Sequence, residues 1–145
     1  MKSPKLFLRK LTKDDLALVY AWRNDPLIRR FMFNSKKISK AEHMRYWQKR
    51  LRKGNCYVIS TSSRPFGFAK FDKFAEGYDI GIYIDPTEQG KGYGALALKA
   101  LKKIAISSGF KPLFARIKLN NLASQKIFKK NGFKAKYVCL ECNLA

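Results

Sequence analysis

Between an aliphatic run and a helix-like run stands Glu88-Gln89-Gly90-Lys91-Gly92-Tyr93-Gly94-Ala95, with three glycines and a lysine in eight positions. No other stretch limits the fold as much. The preceding DIGIYIDP reads as a strand entering a tight turn, and ALALKALKKIAISS over 95–108 carries apolar residues at helical spacing. A strand, a turn, glycines and a helix N-terminus in that order line up backbone N–H groups around one concavity. Those donors lack intrahelical partners and sit at the positive end of the helix dipole, so they form an anion site. Any Cβ would hold a pyrophosphate off the backbone, which accounts for the bareness of the loop. A glycine-rich turn that merely starts a helix is the alternative.

The kind of phosphate follows from what is missing. The P-loop pattern G-x-x-x-x-G-K-[ST] does not occur, which argues against an ATP- or GTP-driven motor. Gly90, Gly92 and Ala95 satisfy G-x-G-x-x-[GA], but the acidic residue about 20 positions later that would hold a dinucleotide ribose is absent, since no acid occurs between Glu88 and Glu141. Twelve Lys or Arg residues lie in that interval, and the whole chain has 31 Lys plus Arg against 10 Asp plus Glu, a formal +21. Such a field attracts phosphorylated cofactors, nucleotide-linked metabolites or nucleic acid and repels cationic substrates; a solvated lysine-rich surface is the plain alternative.

At 145 residues the chain suits one domain, read as a single mixed α/β unit over 1–145. No apolar run of about 18 residues occurs and MKSPKLFLRK lacks a secretion-signal core, so the expected location is cytoplasmic, without a membrane segment. Cys139 and Cys142 form a C-x-x-C, but only Cys56 and His43 remain to complete about four ligands, so no metal is expected and reduced thiols are. The expected order is a strand at 5–11, a helix at 13–23 behind Thr12 and Asp15, a short turn at 27–33, and a helix from Ser39 to about 53. Strands at 56–60, 66–72 and 78–84 follow as an antiparallel meander, then the glycine loop and the helix at 95–108. A strand at 113–119, a helix at 121–130 closed by Asn131-Gly132, and a strand at 133–140 complete it.

Two motifs carry a family resemblance. Gln89-Gly90-Lys91-Gly92-Tyr93-Gly94 resembles the pyrophosphate loop of the GCN5-related N-acetyltransferases (GNAT). Asn121-Leu122-Ala123-Ser124, Phe128 and Asn131-Gly132-Phe133 are similar to that family's later segment. The resemblance implies an α+β fold, a mostly antiparallel twisted sheet flanked by helices with a splayed cleft, and acetyl-CoA as cofactor. It implies that the amides of Gln89, Gly90, Lys91, Gly92, Tyr93, Gly94 and Ala95 hold the pyrophosphate while Lys91, Lys126 or Lys130 neutralise the 3′-phosphate. The pantetheine arm would pair with the fourth strand at Ile82, Tyr83 and Ile84, where a bulge splays it, and an N–H near Ile82 would polarise the thioester carbonyl. Asn121, Ser124 and Phe128 would face the arm from the other side.

The implied reaction is direct amine attack, for which the acceptor must shed a proton. Candidate bases are Asp79, Glu76 and His43. The family's usual tyrosine proton donor is replaced here by Phe128, which leaves Ser124 or a water. Trp22, Arg23, Asn24, Arg30, Phe33, His43 and Trp47 are the expected acceptor contacts, a mix of aromatics and guanidiniums suited to a nucleotide-diphosphate sugar; packing between helices is the alternative for the aromatics. The W-R-N-D-P…E-H…W pattern resembles acetyltransferases of pseudaminic acid and related amino-sugar pathways and also the ribosomal-protein alanine acetyltransferases. The expected acceptor is thus a small anionic metabolite, a UDP-linked amino sugar first. A protein N-terminus, or a non-catalytic module binding coenzyme A or nucleic acid, stays open. The few residues after Phe133 leave the family's last strand missing or supplied by a partner chain, as in a homodimer.

Overall fold

The computed structural model describes residues 5–62 and 64–144. One sheet runs in the order β1 (Phe7–Lys10), β2 (Cys56–Ser60), β3 (Pro65–Phe74), β4 (Gly77–Ile84) and β5 (Leu113–Phe114). The first three pairings are antiparallel and β4–β5 is parallel. Helices α1 (Leu16–Asn24), α2 (Pro26–Arg29) and α3 (Lys40–Lys53) follow β1, α4 (Tyr93–Ser108) follows β4, and α5 (Leu122–Lys130) follows β5. The expected α/β class, an open sheet flanked by helices, is what the chain adopts.

Local chemistry sets the ends. The Thr12 N–H and hydroxyl donate to Asp15 Oδ2 at 2.9 and 3.3 Å, and Arg9 clamps both Asp15 oxygens at 2.8 and 2.7 Å, which fixes the turn from β1 into α1. At α3 the Glu42 N–H donates to Ser39 Oγ at 3.1 Å while the Ser39 N–H donates to Glu42 Oε2 at 3.3 Å, a reciprocal capping box.

Alternation divides the sheet into two walls. Ile59, Ala69, Phe71 and Ile80 pack against Leu98, Leu101 and Phe128 of α4 and α5, whereas Val58 and Phe68 pack against Val19, Trp22 and Trp47 of α1 and α3. Each fully buried large side chain contributes on the order of 1.5–3 kcal/mol. The register shifts by one residue between Ile59 and Ser60, which pair with Gly67 and Pro65. The extra residue, Phe66, turns onto the α4 wall and packs on Tyr93 with centroids 4.5 Å apart.

Three expectations change. The strand foreseen at 113–119 pairs only at Tyr78–Leu113 and Asp79–Phe114, and the chain then leaves β4, although Ala115 and Ile117 still face the core. Residues 133–144 form no strand, and Tyr137, Val138 and Leu140 are exposed. The β3–β4 register is unbroken from Gly67–Ile84 to Phe74–Gly77, so the splay comes from the departure of β5 and not from a bulge in β4.

Candidate active site

The site begins where β4 loses its neighbour. The Tyr78 N–H donates to Pro112 O at 3.0 Å on the β5 side, and strand alternation aims the N–H and C=O groups of Ile80 and Ile82 the same way. Pairing with β5 stops at Asp79, so those groups lie along an open edge. Farther on, Gln89 Nε2 donates to Ile84 O at 3.0 Å and closes the edge at the glycine loop.

In that loop Gly90 and Gly92 hold φ of +81° and +83°, and a Cβ built on either would meet nothing within 4 Å. Gly92 is the N-cap of α4, which therefore starts at Tyr93, two residues before the expected Ala95. An L-residue with a side chain resists that conformation, and the space a Cβ would take is open. The loop thus fits an anion on its amides. Two anchors hold it in place. Asp85 accepts from Trp22 Nε1 at 3.0 Å and from the Thr87 N–H and hydroxyl at 2.9 and 2.7 Å. Burial would push the Asp85 carboxyl up, but these bonds outweigh it and hold it below the usual range. Glu88 is paired with Lys91 at 2.9 Å and with Arg64, which lower its pKa in that order.

On the helical wall of α1 and α3, β4 presents Asp79, Gly81 and Tyr83. Arg116 Nε and Nη2 donate to Asp79 Oδ2 at 3.2 and 2.8 Å, while Oδ1 is buried and has no hydrogen-bond partner. The Arg116 guanidinium lies over Phe33 and Phe74, at 5.6 and 4.4 Å from their centroids. Glu76 is 62% exposed and sits 3.6 Å from Lys136. His43 is 3% exposed, and its Nε2 lies 3.0 Å from Leu16 O. Burial outweighs that bond and pushes the imidazole pKa down, so the ring is neutral near pH 7.

Arg23, His43 and Trp47 meet in a cavity of about 220 Å³, together with Met32, Tyr46, Lys70 and Tyr83. The other expected acceptor contacts lie apart from it. Trp22 is bound to Asp85, Asn24 exchanges two bonds with Ile38 at 3.0 and 2.9 Å, Arg30 stacks on Phe31, and Phe33 meets Arg116. Asn121 Oδ1 caps α5 through the Ser124 N–H at 3.2 Å, and Phe128 is buried against Phe133. Sequence reasoning missed Lys70 and Arg116. Lys70 had a readable signal, a lone cation in the apolar strand FGFAKFD.

Among the described residues no helix is long and apolar enough to cross a membrane and no metal-binding cluster occurs. Residues 5–134 match the Acetyltransferase (GNAT) domain. Uncharacterized protein MJ1062 of Methanocaldococcus jannaschii is 32% identical over 140 residues, 90% of this chain, and the aligned part is 28% of that protein's length. The chain therefore spans well under a third of this curated relative. The N-acetyltransferase from Staphylococcus aureus Mu50 superposes with a TM-score of 0.76 at 26% identity, over 90% of this chain and 84% of that one. The protein yncA from Salmonella typhimurium, solved with its cofactor acetyl-CoA, shares the fold at a TM-score of 0.76 and 20% identity, over 91% and 81% of the two chains. With a match of that extent and an open β4 edge running into a glycine cradle, the chain belongs to the GNAT acetyltransferase domain family.

Proposed function

We propose that this domain transfers an acetyl group from acetyl-CoA to a primary amine of a small anionic metabolite, with a UDP-linked amino sugar as the leading acceptor. The observation that carries the reading is the free edge of β4 beyond Asp79, continuous with the amides around Gly90 and Gly92. An extended, diphosphate-bearing ligand matches both parts: strand-like pairing along Ile80 and Ile82, then an anion at a helix N-terminus. Bound acetyl-CoA supplies an acetyl group activated as a thioester.

The chain's own residues do the rest. Amides from Gly90 to Ala95 hold the diphosphate, the Gln89 N–H being given to Pro86 O at 3.4 Å, and Lys91 adds charge once it leaves Glu88. The Ile82 N–H, aimed along the open edge, is placed to polarise a carbonyl oxygen. Asp79 has one oxygen held by Arg116 and the other buried without a partner, so Oδ1 takes the hydrogen bond and then the proton of the amine only when the acceptor seats against it. His43 is buried and bonded to Leu16 O, and Glu76 is 62% exposed in the β3–β4 turn, away from the open edge, which favours Asp79 among the three candidate bases. The excess of 31 basic over 10 acidic residues favours an anionic acceptor.

The test is thiol release from acetyl-CoA with a UDP-linked amino sugar or a peptide with N-terminal alanine. Turnover with the sugar supports the proposal. Turnover with the peptide alone points to a protein N-terminal acetyltransferase, and cofactor binding with no turnover points to a non-catalytic module.

A further inference from the structure

Lys70 lies on the acceptor wall with its stem across Gly81, where a built Cβ would stand 3.6 Å from Lys70 Cγ and 3.7 Å from Cε. Lys70 lines the cavity together with Arg23, Glu42, Tyr46, Trp47 and Tyr83. The nearest acceptors are Tyr46 Oη at 3.5 Å and Asp72 Oδ2 at 3.6 Å, both beyond the range of a good N–H···O bond. Asp72 is itself engaged by Arg50, which also donates to Phe71 O at 2.8 Å and to Cys56 Sγ at 3.1 Å. Two cations therefore share one carboxylate; Arg23 and Lys70 line the cavity against one acid, Glu42, which caps α3 through the Ser39 N–H, so the lining keeps a surplus positive charge. Burial alone would lower the Lys70 pKa, but Tyr83, Tyr46 and Asp72 outweigh it, so the group remains an ammonium. An ammonium with donors to spare, ringed by aromatic side chains, is a site for a compact oxyanion on an apolar or ring-shaped body.

We infer that Lys70 selects acceptors bearing a phosphate or carboxylate set well apart from the amine that is acetylated. This rests on the acetyltransferase reading above, with the amine at Asp79. Lys70 pairs with Gly81, two residues beyond Asp79 on the same face, so the two side chains leave the sheet roughly 7 Å of strand apart, Lys70 Nζ lying beside Asp72 and Tyr46 and Asp79 held by Arg116. An α-amino acid carries both groups on one carbon and cannot span that distance. A sugar with its amine and phosphate on different carbons, or an ω-amino acid, can.

The experiment compares acetylation of glucosamine 6-phosphate with glucosamine, and of 5-aminopentanoate with 1-aminopentane, by the wild type, Lys70→Met and Lys70→Arg. Each ratio is taken within one protein, so a general loss of turnover cancels. The wild type is expected to prefer the anionic member by tenfold or more in kcat/KM, through KM. Lys70→Met, which keeps the stem on Gly81, should bring the ratio to within about twofold of unity, and Lys70→Arg should restore most of it. A larger loss for one pair identifies the oxyanion as phosphate or carboxylate. Ratios near unity in the wild type, or unchanged in Lys70→Met, overturn the inference while leaving amine acetylation intact. If no amine is acetylated, calorimetric binding of glucosamine 6-phosphate decides: affinity that falls tenfold in Lys70→Met upholds the anion site without the reaction, and equal or absent binding removes it.

Discussion

Replacing Gly92 with valine separates strain from obstruction, because α4 carries a matched control at its other end. Gly92 caps the N-terminus at φ +83° and Gly109 the C-terminus at φ +72°, and a Cβ on either would meet nothing within 4 Å. Both substitutions force a side chain into the left-handed region, at a cost of about 1–3 kcal/mol each, so their urea midpoints should fall by similar amounts. Only Gly92 adjoins the row of loop amides. Losing two charge-assisted bonds at about 1.5–3 kcal/mol apiece weakens coenzyme A binding by about 3–6 kcal/mol, a factor of about 10² to 10⁴ in Kd. Calorimetric titration of both variants with coenzyme A gives the comparison, under conditions where each is folded. The cradle is refuted if Gly92→Val binds within threefold of wild type, or if Gly109→Val loses as much affinity.

Asp79→Asn should lower turnover at neutral pH by about 10²-fold or more with coenzyme A affinity unchanged, as judged by steady-state thiol release; an undiminished rate removes Asp79 as the base. Trp22→Phe deletes the bond to Asp85 and should cost about 1.5–3 kcal/mol in urea unfolding while also weakening coenzyme A binding, since Asp85 orders the turn into the loop. Equal cofactor affinity would show that the anchor serves stability alone. Burial lowers the His43 pKa, so the unfolded chain takes up the proton first. Stability is complete above the ordinary imidazole pKa of about 6.5 and declines as pH falls below it. Wild-type unfolding midpoints should therefore drop between pH 8 and 5.5, and a His43→Phe protein showing the same drop would assign it elsewhere. Asp15, Asp72 and Asp85, all held below the usual carboxylate range, add a further loss below about pH 4.

The parts of the fold set by short-range chemistry were readable from the chain. Ser39 and Glu42 announced α3, and a strand ending in spaced glycines announced the left-handed turns that start α4, because each depends on residues within one turn of one another. Alternation at 113–119 misled in an informative way. It correctly reports that Leu113, Ala115 and Ile117 face the core, but it carries no information on whether the backbone has a partner, and here the partner is lost after Phe114. Apolar residues at 133–140 misled differently: Tyr137, Val138 and Leu140 are exposed and belong to no strand. Aromatic and basic residues near α1 were read as one acceptor surface. The structure sorts them by distant contacts that no local pattern encodes: Trp22 meets Asp85, 63 positions away, and Lys118 reaches Arg30 O across 88. Lys70 and Arg116 belong to the same class, since each gains its setting from another strand or helix.

The extra residue in β3 has an evolutionary consequence. That residue, Phe66, packs on Tyr93 at the start of α4, and beyond it Phe68 and Lys70 face the opposite wall. Under the proposed function, changes at Lys70 or Tyr46 would alter the acceptor cavity without touching the face of β3 that packs on the start of α4. On that reading, one scaffold can diversify its acceptors while its donor chemistry stays fixed.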